Sequence, residues 1–109
     1  MSVETGLKAE IVQYLKTSFE LDDETATELM NTFIETVNDY AKQVDALLTE
    51  RNWQDLSRLG HTIKGTSANV GANALSDAGR ELEFAAKNAH YDSSKIAIDK
   101  LKQLINAIS

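Results

Sequence analysis

The sequence predicts an all-α protein, an antiparallel up-down four-helix bundle with an additional N-terminal helix. Three observations lead there. Apolar residues recur at helical spacing almost throughout, with no sustained alternation of period two. The chain has no Pro, so nothing in it forces a kink or break within a helix. The breaks between apolar stripes are short, and short turns between long amphipathic helices favour antiparallel neighbours. At 109 residues the chain can bury one core and is too short for two, so residues 1–109 are expected to form a single domain.

The elements follow in order. A first helix is expected over about 3–19, with Val3, Leu7, Ile11, Tyr14 and Leu15 on one stripe. At the next break Asp22 or Asp23 can accept hydrogen bonds from the unpaired amides of a following helix. That helix, about 24–50, is the longest. It carries Ala26, Leu29, Phe33, Val37, Tyr40, Val44, Leu47 and Leu48, and its acidic first turn suits the positive end of the helix dipole. Arg51-Asn52 is a short turn, and Trp53 opens a third helix over about 53–70, with Gly71 placed for a left-handed C-terminal cap. The fourth, about 73–89, turns Leu75, Ala78, Leu82, Ala85, Ala86 and Ala89 inward, and its small residues allow a neighbour to approach closely. Tyr91-Asp92-Ser93 breaks the chain, with Asp92 or Ser93 as cap. The last helix, about 94–108, buries Ala97, Ile98, Leu101, Leu104, Ile105 and Ile108. There is no repeat, low-complexity tract or long linker.

Composition removes several classes of function. With 42% hydrophobic and 26% charged residues the chain reads as an ordinary soluble globular protein. The absence of Cys excludes disulfide scaffolds, thiol catalysis and thiolate zinc sites. A net charge of -6 argues against nucleic-acid binding, which needs many phosphate-neutralising Lys and Arg. No apolar run approaches the roughly 20 residues of a membrane span. The opening Met1-Ser2-Val3-Glu4 lacks the basic-then-apolar order of a secretion signal, so a cytoplasmic location is expected. The two ends favour a free-standing protein, while a piece excised from a larger hybrid kinase would read the same. The charge is unevenly spread. Residues 1–50 hold 3 basic and 11 acidic side chains, whereas 51–80 hold Arg51, Arg58, Lys64 and Arg80 against Asp55 and Asp77. A locally basic middle in an acidic chain points to a partner with an acidic surface there.

The third helix carries the chemistry. At about 100° per residue, Leu56, Leu59, Ile63, Thr66, Ser67 and Val70 fall on one side, the core stripe. His61 lies about 170° from the centre of that stripe and should point into solvent. On its face one or two turns away stand only small residues, Ser57, Gly65 and Ala68, while Arg58 and Lys64 flank it at i-3 and i+3. Gly65 inside a helix costs roughly 1 kcal/mol relative to Ala. It shares the face of His61 rather than the core stripe, so it makes room for a bulky group and for the protein that delivers it. The cations suit an anionic group such as a phosphoryl. A surface His beside Lys and Gly can also be incidental. A metal role lacks partners, since the only other His is His90 and no Asp or Glu stands at helical ligand spacing from His61. No phosphate-cradling loop, kinase motif set or nucleophile elbow is present, so any phosphate on His61 must come from another protein.

These residues resemble a known signature. His61-Thr-Ile-Lys64-Gly65, then Gly71, Leu75 and Leu82-Glu83, is similar to the motif of histidine-containing phosphotransfer domains, and the predicted helix order matches over nearly the whole chain. The resemblance implies a phosphorelay carrier of two-component signalling, not an enzyme with its own kinase activity. His61 would accept a phosphoryl group from the aspartyl phosphate of a receiver domain and pass it to an Asp of another receiver. It implies that Lys64 steadies the phosphoryl charge and that Gly65 keeps access open. The implied partners are response-regulator receiver domains and a hybrid sensor kinase. No cofactor is implied in this chain, because the Mg²⁺ belongs to the receiver, and a monomer is expected. Some members carry Gln where this chain has Glu83. A Glu there either accepts a hydrogen bond from the ring and fixes its tautomer, or repels the incoming phosphoryl.

Residues expected to meet a partner are Gln54, Ser57, Arg58, Ala68, Arg80, Glu83, Phe84 and Lys87. Phe84 falls about 150° from the Leu75–Leu82 stripe, and is expected to pack under the first helix. If exposed it would be a docking anchor. The alternative function is a helical adaptor that binds a partner without phosphotransfer. A sensor-kinase phosphoacceptor domain fits less well, since Thr62 rather than an acidic residue follows His61. General acid–base catalysis finds no carboxylate pair with reason to sit in a pocket.

Overall fold

Five helices and no strand make up the described part of the computed structural model, which gives the backbone of residues 3–109 and the side chains of residues 6–109. The helices are α1 (Val3–Ser18), α2 (Asp23–Thr49), α3 (Trp53–Asn69), α4 (Asn73–Lys87) and α5 (Tyr91–Ile108). The inward place expected for Val3 lies outside the described side chains.

The apolar stripes close on one another as a helical bundle. α3 packs on α4, α4 on α5, and α2 on both α3 and α5, while α1 lies against α5 and α2. Large side chains contributed by all five helices, among them Leu15, Met30, Leu56, Ile63, Leu82, Ile98 and Leu101, are almost wholly buried, and each such burial stabilises by about 1.5–3 kcal/mol. Three residues expected on inward stripes are exposed. Tyr14 turns outward, edge-on to Phe19 with ring centroids 6.3 Å apart, and covers Gly71. Leu29 is exposed and gives its place in the core to Met30. Ala89 follows the end of α4 in a left-handed turn (φ 53°) and does not face the core.

The helix ends show how the turns stay short. The amides of Leu21, Asn52, Ala72 and His90 each return to a carbonyl five residues back, on Lys16, Leu47, Ser67 and Ala85, at 2.9–3.1 Å. This closure needs one left-handed residue just past each helix. Gly71 supplies it after α3 at φ 72°, as the sequence predicts, whereas Glu20, Arg51 and Ala89 supply it elsewhere at φ 53°. At the start of α2 it is Asp22 that caps, accepting from the Thr25 amide at 2.8 Å. The bonds donated by Thr25 hold its carboxyl below the ordinary value.

α5 begins at Tyr91, three residues before the expected start, and neither Asp92 nor Ser93 is its cap. The cap is His90, whose ring Nδ1 accepts from the Ser93 amide at 3.1 Å. An imidazole lone pair does there what a carboxylate or hydroxyl usually does, so Tyr91, Asp92 and Ser93 enter the first turn instead of breaking the chain.

Phe84 also departs from expectation. It is 71% exposed, and α1 lies against α5 and α2 rather than over it. Its ring borders an open hollow between α4 and α5 together with Ile96, itself 67% exposed.

Candidate functional site

α3 and α4 touch backbone to backbone. A Cβ on Gly60 would stand 2.6 Å from the amide nitrogen of Glu83 and 2.9 Å from the carbonyl oxygen of Gly79. A Cβ on Gly79 would stand 2.8 Å from the amide nitrogen of Lys64. No larger residue fits at either position unless the helices separate. Two hydroxyls pin the register of this close approach. Ser57 Oγ donates to the Glu83 carbonyl at 3.3 Å, and Ser76 Oγ donates to the Lys64 carbonyl at 2.9 Å.

That register brings Glu83 beside His61. Glu83 Oε2 lies 3.1 Å from His61 Nδ1, and Oε1 lies 3.3 Å from Lys64 Nζ. One carboxylate therefore holds both groups. The imidazole is 65% exposed while the carboxylate is 21% exposed. Partial burial pushes the Glu83 carboxyl up, but the hydrogen bond and charge of Lys64, joined by those of His61, outweigh it and hold the group below its ordinary value. Glu83 is thus ionised near neutral pH, and an ionised carboxylate only accepts hydrogen bonds. In the neutral form of the ring the proton then sits on Nδ1, donating to Oε2, and the lone pair is on Nε2.

Around the ring the surface is bare. A Cβ on Gly65 would meet nothing within 4 Å, and Ala68 is exposed two turns along. Arg58 on α3 is paired with Asp55 at 3.4 Å, and Arg80 on α4 with Asp77 at 3.6 Å. The locally basic region is thus also a region of compensated charge, and Lys64 is the cation nearest the ring's carboxylate partner. Gln54 and Lys87 border a shallow hollow with Trp53, Ser57 and Ala86, beside the same α3–α4 seam.

Of the residues singled out from sequence, the fold joins His61, Lys64, Glu83 and Ser57 directly and leaves Gly65 and Ala68 open beside them. Gln54 and Lys87 border the hollow that Ser57 also lines, Arg58 lines a separate hollow with Gln43 and Leu47 of α2, Arg80 is paired with Asp77, and Phe84 borders the α4–α5 hollow. Sequence reasoning missed Gly60, Gly79 and Ser76. Their signal was available: two further helical glycines, each costing about 1 kcal/mol, have no explanation on an isolated helix.

Among the described residues, no three His, Asp or Glu side chains gather where a metal ion could be held. No described helix is long and apolar enough to cross a membrane. No curated protein and no solved structure is significantly similar to the chain. The model of the Hpt domain family, by contrast, matches residues 28–109. That span holds α3, α4 and the whole His61–Glu83–Lys64 group, and the chain belongs to the Hpt domain family, whose business is histidine phosphotransfer in signalling phosphorelays.

Proposed function

We propose that the chain is a phosphorelay carrier that takes a phosphoryl group on Nε2 of His61 from the aspartyl phosphate of a receiver domain and passes it to an Asp of another receiver. The observation that carries this reading is the tethered, exposed imidazole, with Nδ1 3.1 Å from Glu83 Oε2, a contact that in the neutral ring leaves the lone pair on Nε2. In the transfer Nε2 forms the N–P bond, the acyl O–P bond breaks, and the electron pair leaves with the receiver's carboxylate. Lys64 lies one turn along on the edge of the same face, where its ammonium can move from Glu83 to the phosphoryl oxygens and offset their charge. Gly65 leaves room for the receiver's loops.

The scaffold for this reading is an antiparallel up-down four-helix bundle, α2 to α5, with α1 added. Contacts at 57 with 83 and 64 with 76 across α3–α4, and at 38 with 109 and 45 with 102 across α2–α5, support it. The partners are receiver domains and a hybrid sensor kinase, the Mg²⁺ of the reaction belongs to the receiver's acidic pocket, and the carrier acts as a cytoplasmic monomer. It carries no kinase activity of its own.

The test is direct. The protein is mixed with a phosphorylated receiver, and acid-labile, base-stable label is sought on it. Wild type takes up label, His61→Ala takes up none, and Lys64→Ala takes it up more slowly with its fold unchanged. Equal labelling of His61→Ala overturns the assignment, and binding of a partner without label on wild type favours an adaptor.

A further inference from the structure

We propose that the hollow at the start of α3, with Lys87 as its charged anchor, seats an acidic surface segment of the receiver and sets how fast that receiver docks. This deepens the reading of His61 as the phosphoacceptor and rests on it. Charge on α3 and α4 is paired off almost completely. Of their four Lys and Arg side chains, Arg58 faces Asp55, Lys64 faces Glu83 and Arg80 faces Asp77. Glu81, the remaining carboxylate of the pair, is held by Lys100 of α5. Arg51, in the turn before α3, lies over the Tyr91 ring, 4.8 Å from its centroid. Lys87 is exposed and has no carboxylate partner among the described residues.

That unpaired cation stands close to the ring. Lys87 is four residues after Glu83, so it lies about one turn, or about 6 Å, along the same face of α4. It borders a hollow with Trp53, Gln54, Ser57 and Ala86. Ser57 is one turn before His61 on α3, and its hydroxyl donates to the Glu83 carbonyl at 3.3 Å. Hollow and imidazole are therefore neighbours on one seam. A protein interface of ordinary size covers about 800 Å² on each partner, a disc about 16 Å in radius. A receiver that brings its reacting carboxylate to Nε2 of His61 covers the hollow as well.

The two flanks of α3 differ in charge, and the difference selects the occupant. On α2, Glu28, Glu35 and Asp39 are exposed opposite the buried stripe and pair with no cation among the described residues. An acidic partner is repelled along that flank and attracted along the α4 flank, where Lys87 is unpaired. The receiver, whose Mg²⁺ pocket is acidic on the reading above, is such a partner. Half-buried Trp53 adds an aromatic wall of the kind that anchors protein interfaces.

Lys87→Gln removes the charge and Lys87→Glu reverses it. Lys42→Glu makes the same reversal at an exposed position of α2 and serves as the control. The probe is the phosphorylated receiver that labels wild type. Label uptake is followed against receiver concentration and salt, with far-UV helicity checking the fold. At low salt the second-order rate is expected to fall about threefold in Lys87→Gln and about tenfold in Lys87→Glu, with the rate at saturating receiver unchanged and the gap closing near 0.5 M salt, where exposed charges are largely screened. Lys42→Glu is expected to stay within about twofold of wild type. Equal losses in Lys42→Glu and Lys87→Glu mean that only net charge matters and overturn the seat, as does a loss in Lys87→Glu that salt leaves untouched. Wild-type rates in both Lys87 variants overturn the role of Lys87 while leaving His61 in place. Absence of label from wild type overturns the reading of His61 and this proposal with it.

Discussion

Gly65 offers the cleanest separation of function from stability at the level of a single residue. Its Cβ would meet open space, and it lies within a helix, so Gly65→Gln should fold and gain about 0.5–1 kcal/mol from helix propensity. The same side chain would project beside His61 and obstruct the approaching receiver. Urea denaturation should therefore show a higher midpoint while label transfer falls by more than tenfold; unchanged transfer would remove the steric role of Gly65. His61, Lys64 and Gly65 were readable in sequence because they lie within five residues of one helix, where 100° per residue fixes their faces. The choice between the two readings of Glu83 was not. Glu83 is 22 residues from His61, and the sign of its effect depends on a helix register and on Lys64 occupying the second carboxylate oxygen.

That register belongs to the α3–α4 pair, and Gly60 tests it. Gly60→Ala adds a methyl group that meets the backbone of Glu83 and Gly79, atoms that cannot rotate away. Overpacking of this kind costs about 1–3 kcal/mol, against which the gain in helix propensity is up to about 1 kcal/mol. The net expectation is a lower urea midpoint, together with slower phosphotransfer as Glu83 is carried away from His61. The contrast with Gly65 is the point of the experiment: two glycines five residues apart on one helix should respond to a side chain with opposite signs. A stabilised Gly60→Ala would mean that the helices are not in backbone contact. At this scale the sequence told most about what periodicity controls. Five helices, their order and most of their inward residues follow from spacing alone, while the start of α5 does not. A His lone pair standing in for an Asp or Ser cap, and Arg51 or Ala89 standing in for Gly past a helix end, leave no distinctive residue type to read.

Across the whole molecule, α1 is the element whose place the family leaves open, because the Hpt match begins at residue 28, inside α2. Its packing nevertheless ties it to the core. Leu15 is 2% exposed, Ile11 is 3% exposed, and the Tyr14 ring lies over Gly71 in the α3–α4 turn. An appended helix held this way should melt with the bundle and not before it. Leu15→Ala removes a buried leucine at the α1 interface and is expected to cost about 2–5 kcal/mol. The single Trp, Trp53, opens α3 and reports the transition from a different helix. If α1 shares the cooperative unit, Trp53 fluorescence and far-UV helicity should shift to lower urea together in Leu15→Ala, with one midpoint. A helicity loss that precedes an unshifted Trp53 transition would instead make α1 a separately folding attachment. In that case the bundle of α2 to α5, which carries the whole His61 group, should keep its phosphotransfer activity in urea that already melts α1.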